Sequence, residues 1–204
     1  MNGKLAGASE FTTVQLQLPA WVGEWVGEPD RIFASDEERM ELVIGLSREN
    51  VRRRTGGPFG AAIFEGVSGR LLAPGVNLVE PSHCSVAHAE MVAIMVAQGR
   101  AGNHDLSAEG LPSCELFTSS EPCAMCFGAV PWSGVRRLVF GASKEAAEAV
   151  GFDEGAKPED WPGALEARGI AVRGGLLEQR ATEVLQEYAS TGQAIYNAHH
   201  VSDL

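Results

Sequence analysis

The stretch from Val86 to Gly128 constrains this chain more than any other. It opens on His88-Ala89-Glu90 and closes on Pro122-Cys123-Ala124-Met125-Cys126. One imidazole and two thiols spaced C-x-x-C form a ligand set suited to Zn2+. Three protein ligands leave the fourth tetrahedral position to water, as a catalytic zinc site requires. Glu90, two residues past the histidine, is then close enough to take a proton from that water and pass it on. The fold must therefore bring two separated segments to one ion. Ala87 to Ala97 (AHAEMVAIMVA) is apolar and strongly helix-forming, which predicts a helix with His88 in its first turn. Pro122 suits the first turn of a second helix, with Cys123 and Cys126 on one face of it. The partial positive charge of helix N-termini lowers thiol pKa values, so both cysteines are expected to bind as thiolates. The competing reading is a structural zinc whose shell is closed by His83 or Cys84, leaving Glu90 without special duty.

A chain of 204 residues that is 45% hydrophobic can bury one sizeable core. The expected division is an N-terminal extension over 1–34, a catalytic domain over 35–189 and a tail over 190–204. A formal net charge of −11 argues against a polynucleotide partner, because a protein that grips phosphates presents a basic face to them. The basic run Arg52-Arg53-Arg54 is better placed to complement a helix C-terminus. The opening residues MNGKLAGASEF have neither a basic start nor an apolar run, and Met91 to Ala97 is too short to cross a bilayer. A cytoplasmic protein without a membrane partner is expected. Cys84 and Cys114 suggest no disulfide framework and are expected to be reduced.

Val14, Leu16 and Leu18 alternate with Gln15 and Gln17, which predicts a short half-exposed strand over 11–18. Residues 19–34, with Trp21, Trp25 and several Gly and Pro, read as an irregular arm whose tryptophans pack on the body. Ser35 and Glu38 form a capping box for a helix reaching about Arg53. Phe59 to Phe64 and Arg70 to Val76 read as a hairpin. Strands follow at Glu115 to Ser119, Arg136 to Gly141 and Ile170 to Arg173, interleaved with the two site helices, a helix over Lys144 to Val150 and a loop over Gly151 to Gly163. A last helix runs from Leu177 to Ala189, and His199-His200 beyond it is read as solvated. This order predicts an α/β fold: a three-layer α/β/α sandwich with a central mixed five-stranded sheet.

The combination H-x-E and P-C-x-x-C is the signature of zinc deaminases. With Gly57-Pro58-Phe59-Gly60-Ala61, AHAE, Glu121 to Ala129 and Ala146 to Glu154, the chain resembles the cytidine deaminase-like superfamily and, within it, bacterial guanine deaminases. The resemblance spans roughly Ser35 to Glu187. It implies that Asn77 hydrogen-bonds the base, that the backbone N–H of Ala89 and a carbonyl near Ser119 to Glu121 orient it, and that Phe59 and Trp132 line the slot. Either Asp153 or Glu154 would read the purine edge. It further implies hydrolytic deamination of a free nucleobase by a homodimer, with guanine favoured and guanosine, cytosine or an aminotriazine such as ammeline as alternatives. A tRNA adenosine deaminase is disfavoured by the acidity of the chain. Three departures stand out. Ser82 to Val86 replaces the usual run before the histidine, Glu154 stands where aspartate is common, and the tail offers Tyr196 as its aromatic.

Overall fold

In a computed structural model the chain is described over residues 15–28 and 31–197. Five strands, β1 (Gly60–Glu65), β2 (Leu71–Val76), β3 (Cys114–Ser120), β4 (Arg137–Ala142) and β5 (Ala171–Arg173), form one sheet in the order β2-β1-β3-β4-β5. The β2, β1 and β3 pairings are antiparallel, while β3, β4 and β5 are parallel, so the sheet is mixed as the sequence predicts. Parallel neighbours need a crossover, and each connection here carries helices.

Both faces of the sheet are covered, which explains strands that read as nearly unbroken apolar runs. Ala62, Phe64, Phe117 and Val139 point into one hydrophobic layer with Met40, Val43 and Leu46 of α2 (Asp36–Arg52) and Val184 and Leu185 of α8 (Glu178–Ser190). Ala61, Ile63, Leu116, Leu138 and Phe140 point into the other, with Ala93 and Ile94 of α4 (Ala89–Ala101), Val130 of α5 (Ala124–Ser133) and Trp161 and Leu165 of α7 (Trp161–Glu166). Successive strand residues thus serve opposite layers.

The sequence places most elements to within two residues, and the differences have local causes. Residues 15–18 alternate in exposure, with Leu16 and Leu18 against the core, but they pair with no strand; residues 11–14 of the predicted strand lie outside the described residues. The arm expected to be irregular contains α1 (Ala20–Val26). Seven residues with an internal glycine are not a stable helix alone, and burial of Trp21, Val22 and Val26 on the body supplies what propensity lacks. Trp21 packs inside as expected, whereas Trp25 stays 44% exposed. The loop before the first site helix holds a short turn of helix, α3 (Val79–Ser82). Helix α6 (Lys144–Ala149) is capped by Ser143, and α7 begins inside the stretch read as a loop because Asp160 accepts from the Gly163 N–H at 3.0 Å. Among the described residues no helix is long and apolar enough to cross a membrane.

Register brings the site together. The last residues of β2 and β3 and the first of β1 share one end of the sheet, since Gly60 pairs with Val76 and Ala61 with Thr118. Phe59, Asn77 and Ser120 are therefore neighbours at that end. Helix α4 lies so tightly on β2 that a Cβ at Gly75 would come within 2.3 Å of the Ala89 carbonyl oxygen. The N-terminus of α4 is thereby pinned over the same edge.

Candidate active site

Two helix N-termini converge where β3 ends. His88 is the N-cap of α4 and Cys123 the N-cap of α5, both with extended backbone, and Cys126 lies in the first turn of α5. Each functional residue thus sits one position before, or just inside, the helix rather than deeper within it. Pro122 precedes the cap instead of occupying the first turn, where its missing N–H would also have been harmless. The His88 Nδ1 lies 3.5 Å from Cys123 Sγ and 3.6 Å from Cys126 Sγ. A tetrahedral zinc bonded to sulfur and nitrogen at ordinary lengths holds such donors about 3.6 Å apart, so the cage has the size that zinc requires.

Among the described residues these three form the group of His, Cys, Asp and Glu donors whose ligand atoms all lie within 4.8 Å of one another. His83 and Cys84, the candidates for closing a structural shell, are not in that group. His83 is exposed in the left-handed cap of α3, and Cys84 is half-buried against one hydrophobic layer. Three donors with no fourth protein ligand in the group are the pattern of a catalytic site. Cys84 and Cys114 are free thiols, as expected.

The electrostatics are those of a buried, polar donor set. The Cys126 thiol donates toward Cys123, whose pKa falls to about 4; burial opposes the fall and His88 assists it. The same hydrogen bond, with burial, pushes Cys126 well up, so in the metal-free protein one thiol is ionised and the other holds its proton. The expectation of two thiolates applies to the metal-bound state, in which a coordinating thiol loses its proton outright. Burial alone would lower the His88 pKa, but hydrogen bonding to Cys123 and the charge of Glu90 raise it overall. Glu90, in the first turn of α4, is 6% exposed, and its pKa is raised by burial and then by the Cys123 charge.

Beside these groups opens a cleft of about 340 Å3, whose walls include Phe59, Phe152, Tyr196, Glu90, Glu121 and Glu154. This lies toward the small end of small-molecule sites. Phe59 and Phe152 meet edge to face with centroids 4.9 Å apart, and Tyr196 tilts against Phe152 at 5.3 Å. The two acids that the sequence leaves open both line the cleft but differ in burial. Glu154 is 5% exposed and turned inward, while Asp153 is exposed and accepts the Gly155 N–H at 2.9 Å. Burial, with the Cys123 and Glu90 charges adding to it, raises the Glu154 carboxyl to about 8.

Asn77 is fully buried, and its Oδ1 accepts the Val79 N–H at 3.2 Å. Its backbone carbonyl is held by the Asn50 amide, which also grips the Gly57 carbonyl, both at 2.9 Å. Four buried side-chain polar atoms have no hydrogen-bond partner among the described residues: Asn77 Nδ2, Ser120 Oγ, Glu154 Oε2 and Tyr196 Oη. Glu154 and Tyr196 line the cleft, and Asn77 and Ser120 stand at the strand ends beside it. Such atoms are costly unless a ligand completes them. Ala89, at the first position of α4, is fully buried, and its N–H is one of those a helix leaves free for a ligand.

Trp132 is not brought to the cleft. Counted along α5 it lies about 13 Å from Cys123, and it is 81% exposed beside a separate hollow with His104 and Arg168. A position two and a half turns along the helix cannot line the slot of its own chain. Sequence reasoning missed Phe152 as a wall, Asn50 as a support and Lys157. Phe152 falls in the run Ala146 to Glu154, but its aromatic ring is not read there as part of the site, and Asn50 and Lys157 belong to no short motif. The tail does more than its composition suggests: Asn197 accepts the Asp153 N–H at 3.0 Å and donates to the Gly151 carbonyl at 2.8 Å, seating Tyr196 over the cleft. His199 and His200 lie outside the described residues.

Comparison with known proteins agrees with this geometry. The chain is 52% identical to the guanine deaminase of Nitrosomonas europaea, covering 87% of this chain and 97% of that one, with a TM-score of 0.84. A protein crystallised with 2,6-diaminopurine is likewise 52% identical, over 90% of this chain and 96% of that one, with a TM-score of 0.84. The guanine deaminase of Bacillus subtilis is 37% identical over 118 residues, which are 58% of this chain and 71% of that protein. Residues 34–142 match the cytidine and deoxycytidylate deaminase zinc-binding region, and the chain belongs to that family of zinc-dependent deaminases.

Proposed function

We propose that this enzyme hydrolyses guanine to xanthine and ammonia. The observation that carries the choice of ring is a buried unsatisfied carboxyl oxygen on Glu154 in the cleft wall, together with a buried unsatisfied amide donor on Asn77 at the strand end beside the cleft. A purine that carries both acceptor atoms and an amino-bearing amidine edge satisfies the two together. The aromatic edges of Phe59 and Phe152 suit its flat faces. The relatives named above support the same ring.

His88, Cys123 and Cys126 would hold the zinc, which when bound supplies Lewis-acid activation of a water at neutral pH. Glu90, buried and with its pKa raised, accepts a proton from the attacking water and delivers it to the ring nitrogen beside the amino-bearing carbon. It then takes the remaining proton of the added hydroxyl and passes it to the departing amine, so that guanine and water become xanthine and ammonia. The free N–H of Ala89 and the Asn77 amide orient the base, and Glu154 reads its polar edge. The catalytic unit is proposed to be residues 35–189, with Tyr196 and Asn197 of the tail adding to the cleft wall.

The enzyme is proposed to act as a homodimer. Helix α5 carries no charged residue, and Trp132 ends it as an exposed indole, an apolar surface suited to a second copy. Elution at monomer size over a wide range of concentration would contradict this. The substrate assignment is tested by ammonia release from zinc-loaded protein given guanine, guanosine, cytosine, adenine or ammeline separately. Turnover of guanine with little from the others is expected; turnover of another ring without guanine would move the assignment to that ring.

A further inference from the structure

Lys157 lies in the loop between α6 and α7, three residues past Glu154, yet its side chain is only 3% exposed. Its Nζ donates to the Pro122 carbonyl at 2.6 Å and to the Glu121 carboxylate, and it lies 4.8 Å from the centre of the Trp161 ring. Burying an ammonium is costly unless it is paired and hydrogen-bonded, and here each partner has a place in the site. Glu121 lines the cleft, and Glu121 and Pro122 are the two residues that lead into Cys123. A second link joins the same two loops: the Ala124 N–H donates to the Glu154 carbonyl at 2.9 Å. Gly155 packs against Ala124 so closely that a Cβ there would touch the Ala124 methyl at 3.0 Å.

We propose that Lys157 is a positioning residue that staples the loop carrying Glu154 to the loop carrying Cys123, fixing the ring-reading carboxyl relative to the reacting centre. The inference rests on the purine reading of the cleft given above. Lys157 does not touch the reacting atoms. It acts through the Pro122 carbonyl and the Glu121 carboxylate, whose side chain is 12% exposed and paired with it. It also supplies positive charge where Glu90, Glu121 and Glu154 meet, and its charge lowers the Glu154 pKa against the larger effect of burial. A small error in the placement of an orienting group is enough to cost about 10²-fold in rate.

The test compares zinc-loaded wild type with Lys157→Met and Lys157→Arg for bound zinc, amide hydrogen exchange, and kcat and KM for ammonia release from guanine. Lys157→Met is expected to keep its zinc, to exchange at least tenfold faster at 121–124 and 152–157, and to lose about 10²-fold in kcat/KM, mainly through kcat. Lys157→Arg, which restores a cation with several donors, is expected to recover at least tenfold of that loss. A folded Lys157→Met with kcat and KM within twofold of wild type would overturn the proposal, as would unchanged exchange in the two loops. If Lys157→Met does not fold, Lys157→Gln replaces it with the same expectations and the same overturning results. A wild type silent on guanine sinks the purine assignment instead, and the staple is then judged on the exchange measurement alone.

Discussion

The backbone N–H of Ala124 donates to the carbonyl of Glu154 at 2.9 Å, so the first turn of the helix that carries Cys126 and the loop that presents the buried acid are joined through the main chain. The acid enters the cleft from a segment whose main chain is already tied to the metal-binding helix. The side chain is left free to meet a ligand, and its Oε2 has no protein partner among the described residues.

That burial sets the first prediction. The Glu154 carboxyl ionises near 4.5 in the unfolded chain and at about 8 in the folded zinc-free protein. Between these values the folded state holds the extra proton. Stability from this group is therefore fully present below pH 4.5 and is lost as the pH rises through 8, by an amount on the order of a few kcal/mol. Glu154→Gln, which cannot ionise, should melt increasingly above wild type as the zinc-free proteins are taken from pH 5 to pH 8.5. A melting difference that does not change with pH would contradict the assignment.

The tail gives the second. A Cβ on Gly57 would come within 2.2 Å of Tyr196 Oη and 2.8 Å of its ring. Gly57→Ala should therefore push Tyr196 off the cleft, with roughly 1–3 kcal/mol of overpacking and a clear fall in kcat/KM. In protein ending at residue 190 the same substitution should have little further effect, because the clashing ring is gone. Equal losses in both backgrounds would show that Gly57 acts by another route.

Trp21 gives the third. Its indole N–H donates to Thr55 Oγ1 at 3.0 Å, Thr55 donates to Asn50 Oδ1 at 2.8 Å, and Asn50 holds the Asn77 carbonyl. The N-terminal helix thus reaches Asn77 through three hydrogen bonds. Trp21→Phe keeps the ring and removes the donor, so it should cost about 1 kcal/mol and lower the melting temperature by roughly 2–4 °C. A melting temperature unchanged within error would mean that the bond contributes nothing.

The sequence makes the metal cage and the sheet legible for different reasons. His88, Cys123 and Cys126 are found because a metal needs particular atoms at particular spacings, and the alternation of strands and helices predicts a mixed sheet covered on both faces. Glu154 is brought to the cleft by resemblance, and only packing separates it from Asp153, since both carboxylates fit the same pattern. Lys157 and Asn50 carry no motif because their partners are distant in sequence and generic in type, backbone carbonyls above all. Trp132 shows the converse. Its place in the chain matched a family position, but the rise of α5 carries it away from its own cleft.

Ammonia release from guanine by zinc-loaded wild type and by Glu90→Ala, with bound zinc measured in both, tests the central claim most directly. The expected result is turnover by wild type and a loss of at least about 10²-fold in Glu90→Ala with its zinc retained. A zinc-loaded Glu90→Ala that turns over guanine like wild type would contradict the role given to this carboxylate and the reaction built around it.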